Sequence, residues 1–124
     1  MFKNILIALF ALLIVAGCQT PTKPTFAKGD KIKIYYVHRD GCPACSYMDE
    51  VLKDKEIQSI IKANFNLITV DYRAQNSTLP KKSMITFKTP TLYFLDSSNK
   101  EIRSPIHALD KIEFKKLLNS LKKN

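Results

Sequence analysis

The sequence predicts an α/β domain built on a mixed central sheet of about four strands with helices on both faces. Three observations predict it. Strand-like and helix-like segments alternate in the order strand, helix, strand, helix, strand, strand, helix, and such alternation implies parallel crossover connections. The first strand-like run, Lys31 to His38, ends in consecutive aromatic and β-branched residues, the pattern of a strand covered on both faces. A turn cluster, Asp96-Ser97-Ser98-Asn99-Lys100, follows the third strand-like run directly and would fold the chain back as an antiparallel edge. With 124 residues, 45% of them hydrophobic, one domain is expected.

Each element has its own signal. After the first strand, Arg39-Asp40-Gly41 turns the chain, Cys42 follows, and Pro43 falls at a first helical position. There its missing N–H costs nothing, because that group has no intrahelical partner anyway. Met48, Val51 and Leu52 form one helical apolar face; beyond Asp54, a good N-cap residue, Ile57, Ile60 and Ile61 form another. Two consecutive helices, or one helix broken near Asp54, both satisfy this pattern. Asn66 to Asp71 predicts a second strand, Arg73 to Lys82 a loop, and Ser83 to Phe87 a short helix. Thr91 to Leu95, opened by Pro90, is the clearest strand; a weaker fourth is expected around Glu101 to Arg103. Phe114, Leu117, Leu118 and Leu121 fall at i, i+3, i+4 and i+7, an amphipathic terminal helix with Lys122 and Lys123 at the favourable end of its dipole.

Residues 1–17 read as a lipoprotein signal peptide. Lys3 is the only charge before an apolar run from Ile5 to Val15, and the small residues Ala16 and Gly17 follow. The run is shorter than the about 20 residues that a membrane-spanning helix needs. Val15-Ala16-Gly17-Cys18 resembles the bacterial lipobox, whose cysteine is acylated and becomes the first residue of the mature protein. That resemblance implies export, lipidation at Cys18 and anchorage to a bacterial membrane, facing the periplasm or the cell exterior. More than one acyl chain makes such an anchor stable. Gln19, in place of aspartate, would favour the outer membrane where one exists. Residues 18–29 are polar, carry Pro21 and Pro24, and read as a lipid-anchored linker; residues 30–124 are the folded domain.

Cys42 and Cys45 form a tight pair, separated from Cys18 along the chain. A thiolate, and not a thiol, attacks a disulfide, so a catalytic cysteine needs a group that stabilises negative charge. Cys42 is expected to have one by position: at a helix start its sulfur can receive unpaired backbone N–H groups and the positive end of the helix dipole. Cys45, one turn later, would lie beneath it and attack the mixed disulfide to release the substrate. Two other readings stay open. The pair could hold copper or another soft metal, with His38 as a third donor, or form the inert disulfide of an interaction module. A tetrahedral zinc site would want four ligands, and His38 and His107 are the only imidazoles available.

Gly41-Cys42-Pro43-Ala44-Cys45, followed 44 residues after Cys45 by Thr89-Pro90-Thr91-Leu92-Tyr93-Phe94, resembles the thioredoxin superfamily over roughly Lys31 to Asn124. Cys45-x-x-Met48-Asp49-x-Val51-Leu52 and then Ile57 to Phe65 are most similar to exported thioredoxin-like proteins whose active-site helix is followed by a second short one. The resemblance implies a thioredoxin-like fold, a nucleophile at Cys42 and a resolving thiol at Cys45. It also implies a cis peptide between Thr89 and Pro90 beside the active site, where Thr89 offers backbone hydrogen bonds to an extended substrate. Two departures stand out: Gly41 replaces the tryptophan that commonly precedes the first cysteine, and Tyr36 the buried acid six residues before it. They argue against a close functional copy of cytoplasmic thioredoxin.

Net charge is +9, from 17 lysines and 3 arginines scattered without a basic block. Nucleic-acid sites favour clustered arginine forks and aromatic platforms, so no nucleic-acid partner is expected and the lysines read as a solvated surface. His38, four residues before Cys42, could tune the thiolate; His107 reads as surface. The expected activity is thiol–disulfide oxidoreduction of protein substrates, with the reductase direction slightly preferred, a membrane thiol–disulfide electron donor or acceptor as partner, and no cofactor or metal.

Overall fold

The fold is built outward from strand β1 (Ile32–His38), whose side chains leave almost no exposed face. Alternation along a strand sends successive side chains to opposite sides. Ile32, Ile34 and Tyr36 enter one core, and Tyr35 and Val37 the other. The computed structural model describes residues 30–122; the expected signal peptide, Cys18, the linker and Lys123 lie outside them. Among the described residues no helix is long and apolar enough to cross a membrane.

β2 (Phe65–Asp71) pairs parallel to β1, running from Ile32 opposite Phe65 to His38 opposite Asp71. β3 (Thr91–Leu95) pairs antiparallel on the other side, so the sheet is mixed, in the order β2-β1-β3. Between β1 and β2 run α1 (Pro43–Lys53) and α2 (Lys55–Asn64), the two-helix alternative of the pattern. Asp54 separates them. It closes α1 through its N–H to Val51 O, and its carboxylate accepts the Glu56 and Ile57 N–H groups at 3.0 and 3.2 Å, satisfying two orphan donors of α2.

Met48, Val51, Ile57 and Ile61 seat these helices on Ile32, Ile34 and Tyr36. The last helix joins them after a short four-residue helix α3 (Gln75–Thr78): α4 (Lys111–Leu121) buries Phe114 and Leu118 in the same core. Asp110 caps α4 by accepting the Glu113 N–H at 2.9 Å, and Lys111 reaches back to Asp54 at 3.0 Å and Glu56 at 3.4 Å. The opposite face is covered more thinly. There Val37, Val70, Tyr93 and Leu95 lie under Leu79 and Met84, carried by α3, a following loop and a 3-10 turn at Lys82–Met84.

Two elements differ from expectation. The fourth strand is reduced to two isolated bridges, Leu95 with Glu101 and Leu92 with Ile106. Ile102 and Ile106 both bond to β3, at Phe94 O and at Leu92, so four residues on the outer segment face two on β3. That excess, with Pro105 supplying no N–H, interrupts the ladder. The short helix expected at Ser83–Phe87 is only the 3-10 turn at Lys82–Met84, and a full turn of helix forms at Gln75–Thr78 instead. Gln75 decides this. Its buried side-chain amide accepts the Thr86 N–H at 2.8 Å and donates to Thr86 O at 3.0 Å, taking the backbone groups a helix through 86 would need.

Phe114 is fully buried and Ile112, on the same helix, is 66% exposed. Phe114→Ala is expected to lower unfolding free energy by about 3–5 kcal/mol, whereas Ile112→Ala should stay within about 0.5 kcal/mol of the parent. Urea denaturation of both variants checks this, and equal losses would show that the core does not sit beneath α4.

Candidate active site

Where β1 leaves the sheet at His38, three residues reverse the chain into α1. Gly41 has φ +75°, with open space around its missing side chain. Its requirement is therefore backbone conformation alone, since L side chains rarely adopt that region. The turn delivers Cys42 to the N-cap of α1 in extended conformation, with Pro43 as first helical residue. Cys42 Sγ accepts the Cys45 N–H at 3.2 Å, one of the orphan amides of the first turn. Sulfur thus takes the place that a serine or aspartate oxygen fills at an ordinary helix start.

From the other side comes the segment before β3. The Thr89–Pro90 peptide is cis, the isomer implied by the family resemblance. Thr89 Oγ1 donates to Cys42 Sγ at 3.5 Å, and the Cys42 thiol in turn lies 3.6 Å from Thr89 O as donor. Beneath the helix, Tyr36 is held to the α1 side by the β1 alternation. Its hydroxyl donates to Asp49 Oδ1 at 2.7 Å and lies 3.2 Å from Cys45 O, tying the first turn of α1 to the sheet. Both cysteines are thiols; Cys42 is 7% exposed and Cys45 2%.

The two sulfurs are driven apart in acidity. Burial alone would push the Cys42 thiol up, but hydrogen bonds from Cys45 and the Thr89 hydroxyl, the Cys45 N–H and the Arg39 charge outweigh it, and its pKa falls below the ordinary value. Arg39 is steadied over the Tyr72 ring at 5.4 Å. Burial pushes the Cys45 thiol up, and its hydrogen bond with Cys42 adds to the rise. Tyr36 is raised too, first by burial and then by its bond to Asp49, so it remains a neutral donor at physiological pH. Such a site can present one nucleophilic thiolate while keeping a second thiol protonated beneath it.

The structure brings Cys42, Cys45 and Thr89 together, with Pro90 directly behind, while Cys18 lies outside the described residues. His38 stacks on Tyr36, ring centroids 5.5 Å apart and 17° from parallel. Among the described residues no three His, Cys, Asp or Glu side chains converge as a metal site, so the set His38, Cys42 and Cys45 is not assembled. His107 is exposed, as the sequence suggested, yet it makes a contact that sequence reasoning missed. Its Nδ1 lies 3.0 Å from Pro90 O and 3.4 Å from Thr91 Oγ1, clipping the segment after α3 and before α4 to the Pro90 loop. A carbonyl only accepts, so Nδ1 carries the proton. Seventeen residues separate the partners, and nothing local in the sequence signals the contact.

Comparison with solved structures places this architecture. A DsbH oxidoreductase superposes with TM-score 0.65 at 16% identity, covering 86% of this chain and 94% of that one. A thioredoxin from Thermus thermophilus gives 0.61 at 22%, covering 73% of each chain. A disulphide isomerase from Xylella fastidiosa Temecula1 gives 0.60 at 14%, covering 73% and 78%. The fold is the thioredoxin fold. No protein-family model matches the chain, and no curated protein matches its sequence.

The hydrogen bonds at Cys42 predict its titration. Alkylation by iodoacetamide, followed by mass spectrometry across pH, should give Cys42 a midpoint below 9.0 and Cys45 one above 9.0. Thr89→Ala removes a donor to the sulfur and should move the Cys42 midpoint upward. An unmoved midpoint would rule out the Thr89 hydroxyl as a stabiliser of the thiolate.

Proposed function

We propose that this chain is an extracytoplasmic, lipid-anchored thiol–disulfide oxidoreductase acting on protein substrates. The observation that carries the chemistry is Cys42 Sγ at the start of α1, holding the Cys45 N–H at 3.2 Å with the Thr89 hydroxyl at 3.5 Å. Cysteines at helix starts beside hydrogen-bond donors and cations are the ones with depressed pKa and nucleophilic sulfur. The likeness in fold to a thioredoxin, a disulphide isomerase and a DsbH oxidoreductase supports the same reading. Export and the anchor at Cys18 rest on the lipobox-like Val15-Ala16-Gly17-Cys18 alone.

In the reducing direction, the Cys42 thiolate attacks one sulfur of a substrate disulfide. A Cys42–substrate disulfide forms, and the other substrate sulfur leaves as a thiolate that takes up a proton. Loss of the Cys42 proton also releases Thr89 O, which the thiol had occupied at 3.6 Å, to accept an N–H from the arriving substrate backbone. Cys45 then loses its proton and attacks Cys42 Sγ. The Cys42–Cys45 disulfide forms, the second substrate thiolate departs, and two electrons have passed to the substrate. Regeneration needs a dithiol donor at the membrane, because extracytoplasmic compartments are oxidising. Pro43 and Ala44, the exposed spacer, supply no imidazole or charge to depress Cys42 further, which favours the reductase direction over strong oxidation.

Roles and direction are separable by experiment. Cys45→Ser should accumulate covalent substrate adducts on Cys42, and Cys42→Ser should accumulate few; equal trapping by both variants rejects the assigned roles. Equilibration of the purified protein with glutathione is expected to give a potential near about −270 mV, and a value near about −120 mV would reverse the proposed direction.

A further inference from the structure

Gln75 is 5% exposed, and its side-chain amide is bonded to backbone on two sides. Nε2 donates to Tyr72 O and to Thr86 O, both at 3.0 Å, and Oε1 accepts the Thr86 N–H at 2.8 Å. A buried amide is costly to leave unpaired, so a glutamine at this depth holds firmly what it bonds. Here it ties the turn after β2 to a residue eleven positions further along the chain.

Thr86 carries that hold toward the sulfur. Its hydroxyl accepts the Lys88 N–H at 3.1 Å and donates to Lys88 O at 3.2 Å. Lys88 O also receives the Thr91 hydroxyl, and Pro90 O faces His107 Nδ1 at 3.0 Å. The backbone is therefore held before and after Thr89. Among the described residues, the hydroxyl and carbonyl of Thr89 themselves bond only to Cys42 Sγ, at 3.5 and 3.6 Å. Hydrogen bonds weaken steeply with misalignment, so the bond from the Thr89 hydroxyl to the sulfur depends on where its neighbours place it.

We propose that Gln75 is a positioning residue for the reacting sulfur: through Thr86 and the Lys88 peptide group it holds the Thr89 hydroxyl on Cys42 Sγ. This role rests on the thiol–disulfide exchange reading and adds to it a residue that bonds to neither cysteine. Gln75 and Thr86 are both neutral, so neutral replacements leave the charges around Cys42 as they are. Those groups are the Cys45 thiol on α1 and the Arg39 guanidinium on the turn after β1. Tyr36, bonded to Asp49, lies under the first turn of α1, and His107 lies behind Pro90. A change in Cys42 ionisation on replacing Gln75 therefore reports the placement of the Thr89 hydroxyl.

Iodoacetamide alkylation of Cys42 across pH, with no substrate present, tests this. Gln75→Met removes the amide and should slow alkylation near neutral pH by about 3- to 10-fold, in the same direction as Thr89→Ala, while the rate at full ionisation stays parental. Gln75→Met combined with Thr89→Ala should be no slower than Thr89→Ala alone, because substitutions acting through one contact do not add. Thr86→Val deletes the hydroxyl and leaves the Thr86 backbone bonds to Gln75; it should slow alkylation likewise, and Thr86→Ser should restore the parental rate. This pair keeps the test decisive if Gln75→Met fails to fold. Phe114→Ala, which weakens the core under α4, should leave the profile in place. An unshifted profile in Gln75→Met or Thr86→Val, additive slowing in the double variant, or an equal shift in Phe114→Ala overturns the proposal. Absence of disulfide-reducing turnover in the parent counts against the exchange reading instead, since alkylation needs no substrate.

Discussion

Burial of β1 on both faces is the constraint from which the rest of the molecule follows. A strand covered on both sides must alternate its apolar side chains between two cores, and Ile34 and Tyr36 on one side, Tyr35 and Val37 on the other, do so. The faces are not equal. Three helices converge over Ile34 and Tyr36, whereas the other face is closed by α3 and short turns. Because the heavier core lies under α1, the end of β1 and the start of α1 are fixed relative to each other, and the short Arg39–Gly41 connection leaves Cys42 little choice of position.

At that position one helical turn separates two identical side chains and gives them different chemistry. Cys42 is the cap: its sulfur collects an orphan amide and a hydroxyl, both of which favour negative charge. Cys45, inside the helix, is covered more deeply and has its backbone carbonyl tied to Tyr36. The two thiols thus differ through helix geometry and depth, with the Arg39 charge adding to the pull on Cys42.

Much of this was legible in the sequence because it is local. Pro43 after Cys42 marks a helix start, and the spacing of Phe114, Leu117, Leu118 and Leu121 specifies α4 over Lys111–Leu121. Asp54 announced a cap, although only packing could choose two helices over a bent one. What escaped depends on distant partners. Gln75 looks like one more polar loop residue until its amide is found on Thr86. His107 meets Pro90 only because the edge segment folds back along β3. The fourth strand had a turn in its favour, but the surplus residues and Pro105 break its pairing. The cis Thr89–Pro90 bond is foretold by resemblance alone, since the local sequence does not distinguish it from the far commoner trans form.

Tyr36 has a consequence that reaches beyond holding α1 in place. A carboxylic acid buried beneath a pair of sulfurs is a third proton site, and three coupled sites titrate as a unit whose steps belong to no single group. A phenol kept neutral by burial and by Asp49 stores no charge there in the physiological range. Asp49 is the carboxylate of this network, held through the phenol hydroxyl, which lies 2.7 Å from its Oδ1 and 3.2 Å from Cys45 O. What Tyr36 puts under the first turn of α1 is a neutral hydroxyl, with a carboxylate behind it on the same hydrogen-bond chain.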